Sequence, residues 1–288
     1  MDRPYHDLDG VIWFNNKFVP WREGNIHLLT HSLHYGSCVF EGERAYNGKI
    51  FRSRCHTERL LKSAQYLGFE IPYTADMLEA AKYDTLKHQN LDNAYIRVMA
   101  WRGSEQMGIS ARNNKIHTAI AVWEWGAYFG DAKNKGISLN ISDWVRPDPR
   151  TIPCFAKAAG LYMICTLSKH QAEMQGYADS LMLDFRGYVA EATGANILFY
   201  KDGIFYTPTP DCFLNGITRR TVISLIREKG IEVVEKHIMP SELEEFQQCF
   251  LVGTAAEVTP VKQIGSYNFE IGDVTKDIIK EYDKLTKI

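Results

Sequence analysis

The sequence predicts an α+β fold of two mixed domains, each a sheet with helices beside it. Three observations carry this. Short alternating or β-branched runs flank turn pairs of Asn, Asp and Gly. Other stretches place leucines at helical spacing. A polar, glycine-bounded stretch at 130–136 interrupts the chain near its middle.

Residues 11–14 and 17–19 alternate around Asn15-Asn16 and read as a hairpin; a second hairpin turns at Asn47-Gly48, between 44–46 and 49–52. Residues 56–67 carry Leu60, Leu61 and Leu67 and stop at Gly68, a natural end for a helix. Thr74 reads as the N-cap of a helix reaching about Gln89. The β-branched and aromatic stretches 94–100 and 118–125 read as buried strands. After the polar stretch come a strand at 137–141, the segment 151–160 and a helix from about 161 to 174. Two hairpins follow, 180–184 with 188–191 and 197–200 with 204–207. A helix at 218–230 and a strand at 250–252 complete the reading. The expected organisation is a smaller N-terminal domain at 1–130, a linker at 131–136 and a larger C-terminal domain at 137–288.

The 288 residues are 45% hydrophobic and 24% charged, as in soluble globular proteins. A formal net charge of -2, from 33 basic and 35 acidic residues, gives no electrostatic reason to expect nucleic acid or an acidic membrane as partner. The six cysteines form no CxxC pair, so a zinc site of common spacing is not expected, and reduced thiols are. The first ten residues hold no apolar signal core, and no apolar run is long enough to span a bilayer. A cytoplasmic enzyme or binding protein is the expectation.

Lys157 stands out chemically. It sits among Ala156, Ala158, Ala159 and Gly160, whereas Lys133, Lys135 and Lys201 keep polar company. Small neighbours leave space around an amine, and burial favours the neutral form that attacks an aldehyde. A surface lysine on an alanine-rich turn would read the same way, so this pattern alone leaves both readings open. Gly216, Ile217 and Thr218 open a helix, where free N–H groups and a hydroxyl can cradle phosphate. Gly253-Thr254-Ala255 follows a strand and is either a second anion nest or a tight turn. Glu191 ends a strand and enters a loop of small residues; it is either solvated or paired with a protonated ring nitrogen.

Taken together, TIPCFAKAAG around Lys157, EATGAN from Glu191, GITR from Gly216 and GTAAEVTPV from Gly253 resemble the fold-type IV pyridoxal 5′-phosphate (PLP) enzymes. Among these the sequence is most similar to the branched-chain amino acid aminotransferases, from about Val11 to Val261. The resemblance implies two mixed α/β domains with the cofactor between them, the C-terminal one binding it. It implies that Lys157 is the Schiff-base lysine and proton shuttle, and that Glu191 keeps the pyridine nitrogen protonated. Arg59, Ile217, Thr218 and Thr254, with Gly216 and Gly253, would hold the phosphate. Tyr162, taken as one helical turn beyond Lys157, would meet the cofactor's phenolic oxygen and border the substrate.

The same resemblance implies a substrate pocket of Tyr35, Phe40, Gly42, Tyr95, Arg97, Met107, Trp125, Tyr128 and Tyr162. Its apolar members suit leucine, isoleucine or valine side chains. Thr254 and the Ala255 N–H, helped by Tyr95, would take the α-carboxylate, and Arg97 the γ-carboxylate of glutamate. The implied reaction is ping-pong amino transfer to 2-oxoglutarate. A homodimer or higher homo-oligomer is implied, with Met107 and Tyr35 serving the neighbouring subunit. The sequence departs from the family pattern at Glu43, Val98, Arg102, Cys154, Phe155 and the loop 103–110, which bears on fine substrate preference. D-amino acid aminotransferases and aminodeoxychorismate lyases share the cofactor residues; a binding protein without catalysis is the alternative of another class.

Overall fold

Asparagine and glycine in left-handed backbone set the hairpins of this chain. The computed structural model describes residues 3–126, 128–130 and 135–286. The chain divides into two compact units: Met1–Trp125 with Ala156–Gly160, and Gly126–Phe155 with Leu161–Ile288. Most of the linker expected at 131–136 lies outside the described residues.

In the first unit, β1 (Val11–Phe14) and β2 (Lys17–Pro20) are joined at Asn15 and Asn16, with φ of 49° and 65°. Two consecutive positive φ values match the twist of a two-residue hairpin. Next come the short helix α1 (His31–Tyr35), the long strand β3 (Cys38–Tyr46) and its partner β4 (Lys49–Ile50), turning at Asn47 and Gly48. Helix α2 (Ser53–Tyr66) is followed by Gly68 with φ 69°. Helix α3 (Ala75–His88) starts where the Thr74 hydroxyl accepts a hydrogen bond from Met77 N at 3.2 Å, the cap read from the sequence. Strands β5 (Ala94–Arg102) and β6 (Ile116–Trp123) complete an antiparallel sheet of order β2-β1-β6-β5-β3-β4.

Side chains alternate across a strand, and directly opposed residues share a face. On β3, Val39, Glu41, Glu43 and Ala45 are buried, the two glutamates against groups on α2 and α3. Phe40, Gly42 and Arg44 point to the other face, opposite Met99, Arg97 and Tyr95 of β5. The strand is longer than the 44–46 expected, because buried glutamates hide its apolar alternation.

In the second unit, β7 (Ile137–Ile141) precedes helix α4 (Tyr162–Met174). Then follow β8 (Asp179–Leu183), β9 (Val189–Ala192), β10 (Asn196–Lys201) and β11 (Ile204–Pro208). Helix α5 (Ile217–Glu228) leads to β12 (Val233–Lys236), β13 (Gln248–Gly253), β14 (Glu257–Ile264) and β15 (Tyr267–Asn268). Helix α6 (Asp273–Thr286) closes the described chain. The mixed sheet runs β12-β11-β10-β13-β14-β7-β8-β9, with β15 beside β14. Leu139, Leu181, Ile197, Phe199 and Leu251 are fully buried in its core. Helix α4 packs on β8, and α5 and α6 on β13.

Candidate active site

The segment bearing Lys157 belongs to the first unit, although it follows β7 in the chain. Backbone hydrogen bonding places it there. Phe40 N donates to Lys157 O at 3.0 Å, Lys157 N donates to Ser63 Oγ at 3.0 Å, and Val39 bridges Ala158. Lys157 is half-buried between the buried Ala156 and Ala158. Its Nζ stands 5.0 Å from the centre of the Phe40 ring. Tyr162 is not one helical turn beyond it. A 3-10 turn at Ala159–Leu161 intervenes, and Tyr162 opens α4 in the second unit.

Phe40 also carries the Arg97 guanidinium, 4.9 Å from its ring centre. Arg97 Nη2 donates to the Tyr95 hydroxyl at 3.2 Å, and its buried Nε has no hydrogen-bond partner. Gly42 lies opposite Arg97, and a methyl group there would overlap the Tyr95 hydroxyl, so a larger residue would have to displace that ring. Trp125 meets Tyr95 edge-on at 4.4 Å, and its carbonyl accepts from Arg44 Nη2 at 2.8 Å. Burial pushes the Cys38 thiol up to about 11, with Arg97 opposing, so it stays protonated near neutrality. Phe40, Gly42, Tyr95, Arg97, Trp125 and Lys157 are thus in one neighbourhood: aromatic walls, one amine and one guanidinium.

Behind β3, Arg59 grips the fully buried Glu41 with two bonds, Nε to Oε1 at 2.6 Å and Nη2 to Oε2 at 2.8 Å. His56 Nδ1 lies 2.7 Å from the same carboxylate. Burial alone would raise the Glu41 pKa, but Arg59 and His56 hold it far below the usual carboxylate range. A fork locked in this way has a fixed orientation, which suits an anion-binding arginine. Glu43, one pleat along, binds the buried Lys82 Nζ at 2.9 and 3.1 Å; Lys82 also donates to Thr57 Oγ1 at 2.8 Å.

In the second unit, hydrogen bonds tie several predicted residues together. Asn196 Nδ2 donates to Glu191 Oε2 at 2.9 Å, and Asn196 Oδ1 accepts from Gly216 N at 3.1 Å. A side chain at Gly216, the N-cap of α5, would overlap Asn196 Oδ1. Gly253 packs on Ala195 and the Gly194 carbonyl, with no room to spare for a methyl group. Ile217 and Thr218 are buried in the first turn of α5; Thr254 and Ala255 are half-buried in the turn after β13. Glu191 is 8% exposed, and Arg146 Nε lies 3.4 Å from its Oε1.

Of the other pocket residues, Tyr35 and Met107 belong to the first unit and Tyr128 to the second. Tyr35 and Met107 are exposed; the Tyr35 ring packs at a tilt against His31, whose Nε2 lies 2.9 Å from Gly108 O in the loop carrying Met107. Tyr128 is exposed and lies beside Lys169 of α4. Arg146 and Asn196 were missed by sequence reasoning. Asn196 closes the EATGAN motif and was within reach; Arg146 carries no local signal. A PLP group fits what each unit offers. The buried Glu191 suits a cationic ring nitrogen, the side-chain-free Gly216 a backbone phosphate cradle, and Lys157 an aldehyde carbon.

A model of the amino-transferase class IV family matches residues 38–264. The chain is 42% identical to a branched-chain-amino-acid aminotransferase of Pseudomonas aeruginosa, covering 97% of this chain and 94% of that one. It resembles the crystal structure of the Escherichia coli branched-chain amino acid aminotransferase with a TM-score of 0.94 and 37% identity, over 97% and 95% of the two chains. It resembles the branched-chain amino acid aminotransferase of Thermoproteus uzoniensis with norvaline with a TM-score of 0.92 and 35% identity, over 96% and 95%. A further structural neighbour, with a TM-score of 0.92 and 36% identity over 97% and 95%, is a branched-chain amino acid aminotransferase complexed with N-(5′-phosphopyridoxyl)-L-glutamate.

Proposed function

The chain belongs to the class IV aminotransferases, and we propose that it moves the amino group of L-leucine, L-isoleucine or L-valine to 2-oxoglutarate, using PLP. The observation that carries this reading is the shared ring: Lys157 Nζ and the Arg97 guanidinium both lie over Phe40, 5.0 and 4.9 Å from its centre. An apolar wall with a guanidinium at its edge suits both an aliphatic side chain and the γ-carboxylate of glutamate. The relatives' names and the phosphopyridoxyl-glutamate complex support the same substrates and cofactor.

PLP, when bound, supplies an electron sink for the bonds at the amino acid's α-carbon. The protein's residues do the rest. Lys157 Nζ holds the cofactor and carries the proton taken from the α-carbon. Glu191 would pair with the ring nitrogen and keep it protonated. Arg59, the first turn of α5 at Ile217 and Thr218, and Thr254 hold the phosphate, with Gly216 and Gly253 letting backbone approach. Tyr162 would donate to the phenolic oxygen. Thr254, Ala255 N and Tyr95 receive the α-carboxylate, and Phe40, Trp125 and Tyr128 line the side-chain space.

A homo-oligomer belongs to the same reading. Leu28, Leu33 and Ile109 are 83%, 61% and 88% exposed, and Tyr35 and Met107 lie in the same segments. Such exposure favours association with a second copy, which would receive Tyr35 and Met107 at its own site. A cytoplasmic setting suits the six free cysteines. The direct test is amino transfer to 2-oxoglutarate. L-leucine should be a substrate and D-alanine should not; transfer from D-alanine alone would replace this reading with that of a D-amino acid enzyme.

A further inference from the structure

Glu191 is approached on both oxygens by different chemistry. Asn196 hydrogen-bonds Oε2 at 2.9 Å, while Arg146 stands off Oε1 at 3.4 Å. Arg146 is 4% exposed, and its Nε has no aligned hydrogen-bond acceptor. The contact is therefore charge against charge, unlike the two-pronged grip of Arg59 on Glu41.

The arginine is held there by several elements. Its backbone N donates to Leu183 O at 2.7 Å, and it bridges Asp184 at the end of β8. Its Nη1 lies 3.3 Å from Cys165 Sγ on α4. Burial works against the guanidinium charge, but Glu191, ahead of Cys165, Tyr162 and Cys154, outweighs it and raises the Arg146 pKa. A buried ion pair with loose geometry is a poor stabiliser, since its desolvation cost is not recovered. What such an arginine does well is keep a neighbouring carboxylate anionic.

We propose that Arg146 is a positioning residue: it acts through Glu191, holding that carboxylate ionised and aimed so that it keeps the cofactor's ring nitrogen protonated. The inference rests on the reading of Glu191 given above. Asn196 complements it by tying the same carboxylate to Gly216 at the start of α5.

The test uses PLP holoenzyme and two readouts besides turnover: the pH midpoint of the visible absorbance and the rate of cofactor release. Arg146→Met should move the midpoint by about one unit or more and speed release. Arg146→Lys, which keeps the charge, should recover most of the shift. The double variant Arg146→Met/Glu191→Gln should match Glu191→Gln alone, since the arginine acts only through the glutamate. An unmoved midpoint in Arg146→Met, or shifts that add in the double variant, would overturn the role of Arg146. No change in Glu191→Gln itself would instead overturn the reading of Glu191. If Arg146→Met does not fold, Arg146→Gln carries the same comparison.

Discussion

Gly42 and Tyr95 divide one space between them: the glycine has no side chain, and the tyrosine hydroxyl stands where a methyl group would be. That hydroxyl accepts from Arg97 Nη2 at 3.2 Å, so the glycine sets the position of two predicted substrate residues together. Gly42→Ala should push Tyr95 aside at a cost of about 1–3 kcal/mol. The expected result is an apparent KM for L-leucine and L-glutamate raised about tenfold or more, with the cofactor's absorbance unchanged. Unaltered KM values would show that Tyr95 does not meet substrate.

Arg97 is asked to do something only one substrate needs. It lies over Phe40 and Tyr95, at 4.9 and 5.4 Å from their ring centres, and a γ-carboxylate would add a charge-assisted bond. Such a bond is worth about 1.5–3 kcal/mol. Arg97→Leu should therefore slow the glutamate half-reaction by roughly 10- to 100-fold while sparing the leucine one. Single-turnover absorbance measurements separate the two, and equal losses in both would refute the assignment.

Acid stability tests an ion-pair cluster of the second unit. Burial works against ionisation of Asp211, but Arg186 at 2.8 Å and His237 at 2.9 Å outweigh it and bring its carboxyl down to about 2. An acid with a depressed folded-state pKa contributes stability above its unfolded value, 3.8, and loses it as pH falls towards about 2. Asp211→Asn should lower the melting temperature at pH 7 and flatten its fall between those two pH values. An unchanged slope would mean that the contact contributes nothing.

What the sequence made legible was local. The turns at Asn15-Asn16 and Asn47-Gly48 depend on residues that tolerate positive φ, and the Thr74 cap on one hydroxyl. Lys157 announced itself through small neighbours, and the glycines at 216 and 253 through their places beside a helix and a strand. What stayed hidden depended on pairing across the fold. Glu41 and Glu43 looked like breaks in an apolar pattern, yet each is buried against a cation on α2 or α3. Arg146 meets Glu191 across the paired strands β8 and β9, and no short window of sequence contains both. The same holds for the grouping of Lys157 with β3, which rests on backbone hydrogen bonds to Phe40 and Ser63. The closing helix α6 was legible as well: Val274, Ile278 and Tyr282 recur every four residues among charged ones, and Ile278 and Tyr282 are buried.

Everything in this account turns on which amine takes the cofactor. Among the described residues Lys82 is the fully buried lysine, but its Nζ is enclosed by Glu43, Ser53 O and Thr57. The decisive measurement is borohydride reduction of the PLP-loaded protein, followed by mass mapping of its peptides. Reduced cofactor is expected on Lys157, and no borohydride-fixed label in Lys157→Ala. Label on Lys82 or on any other lysine, or none at all, would contradict it.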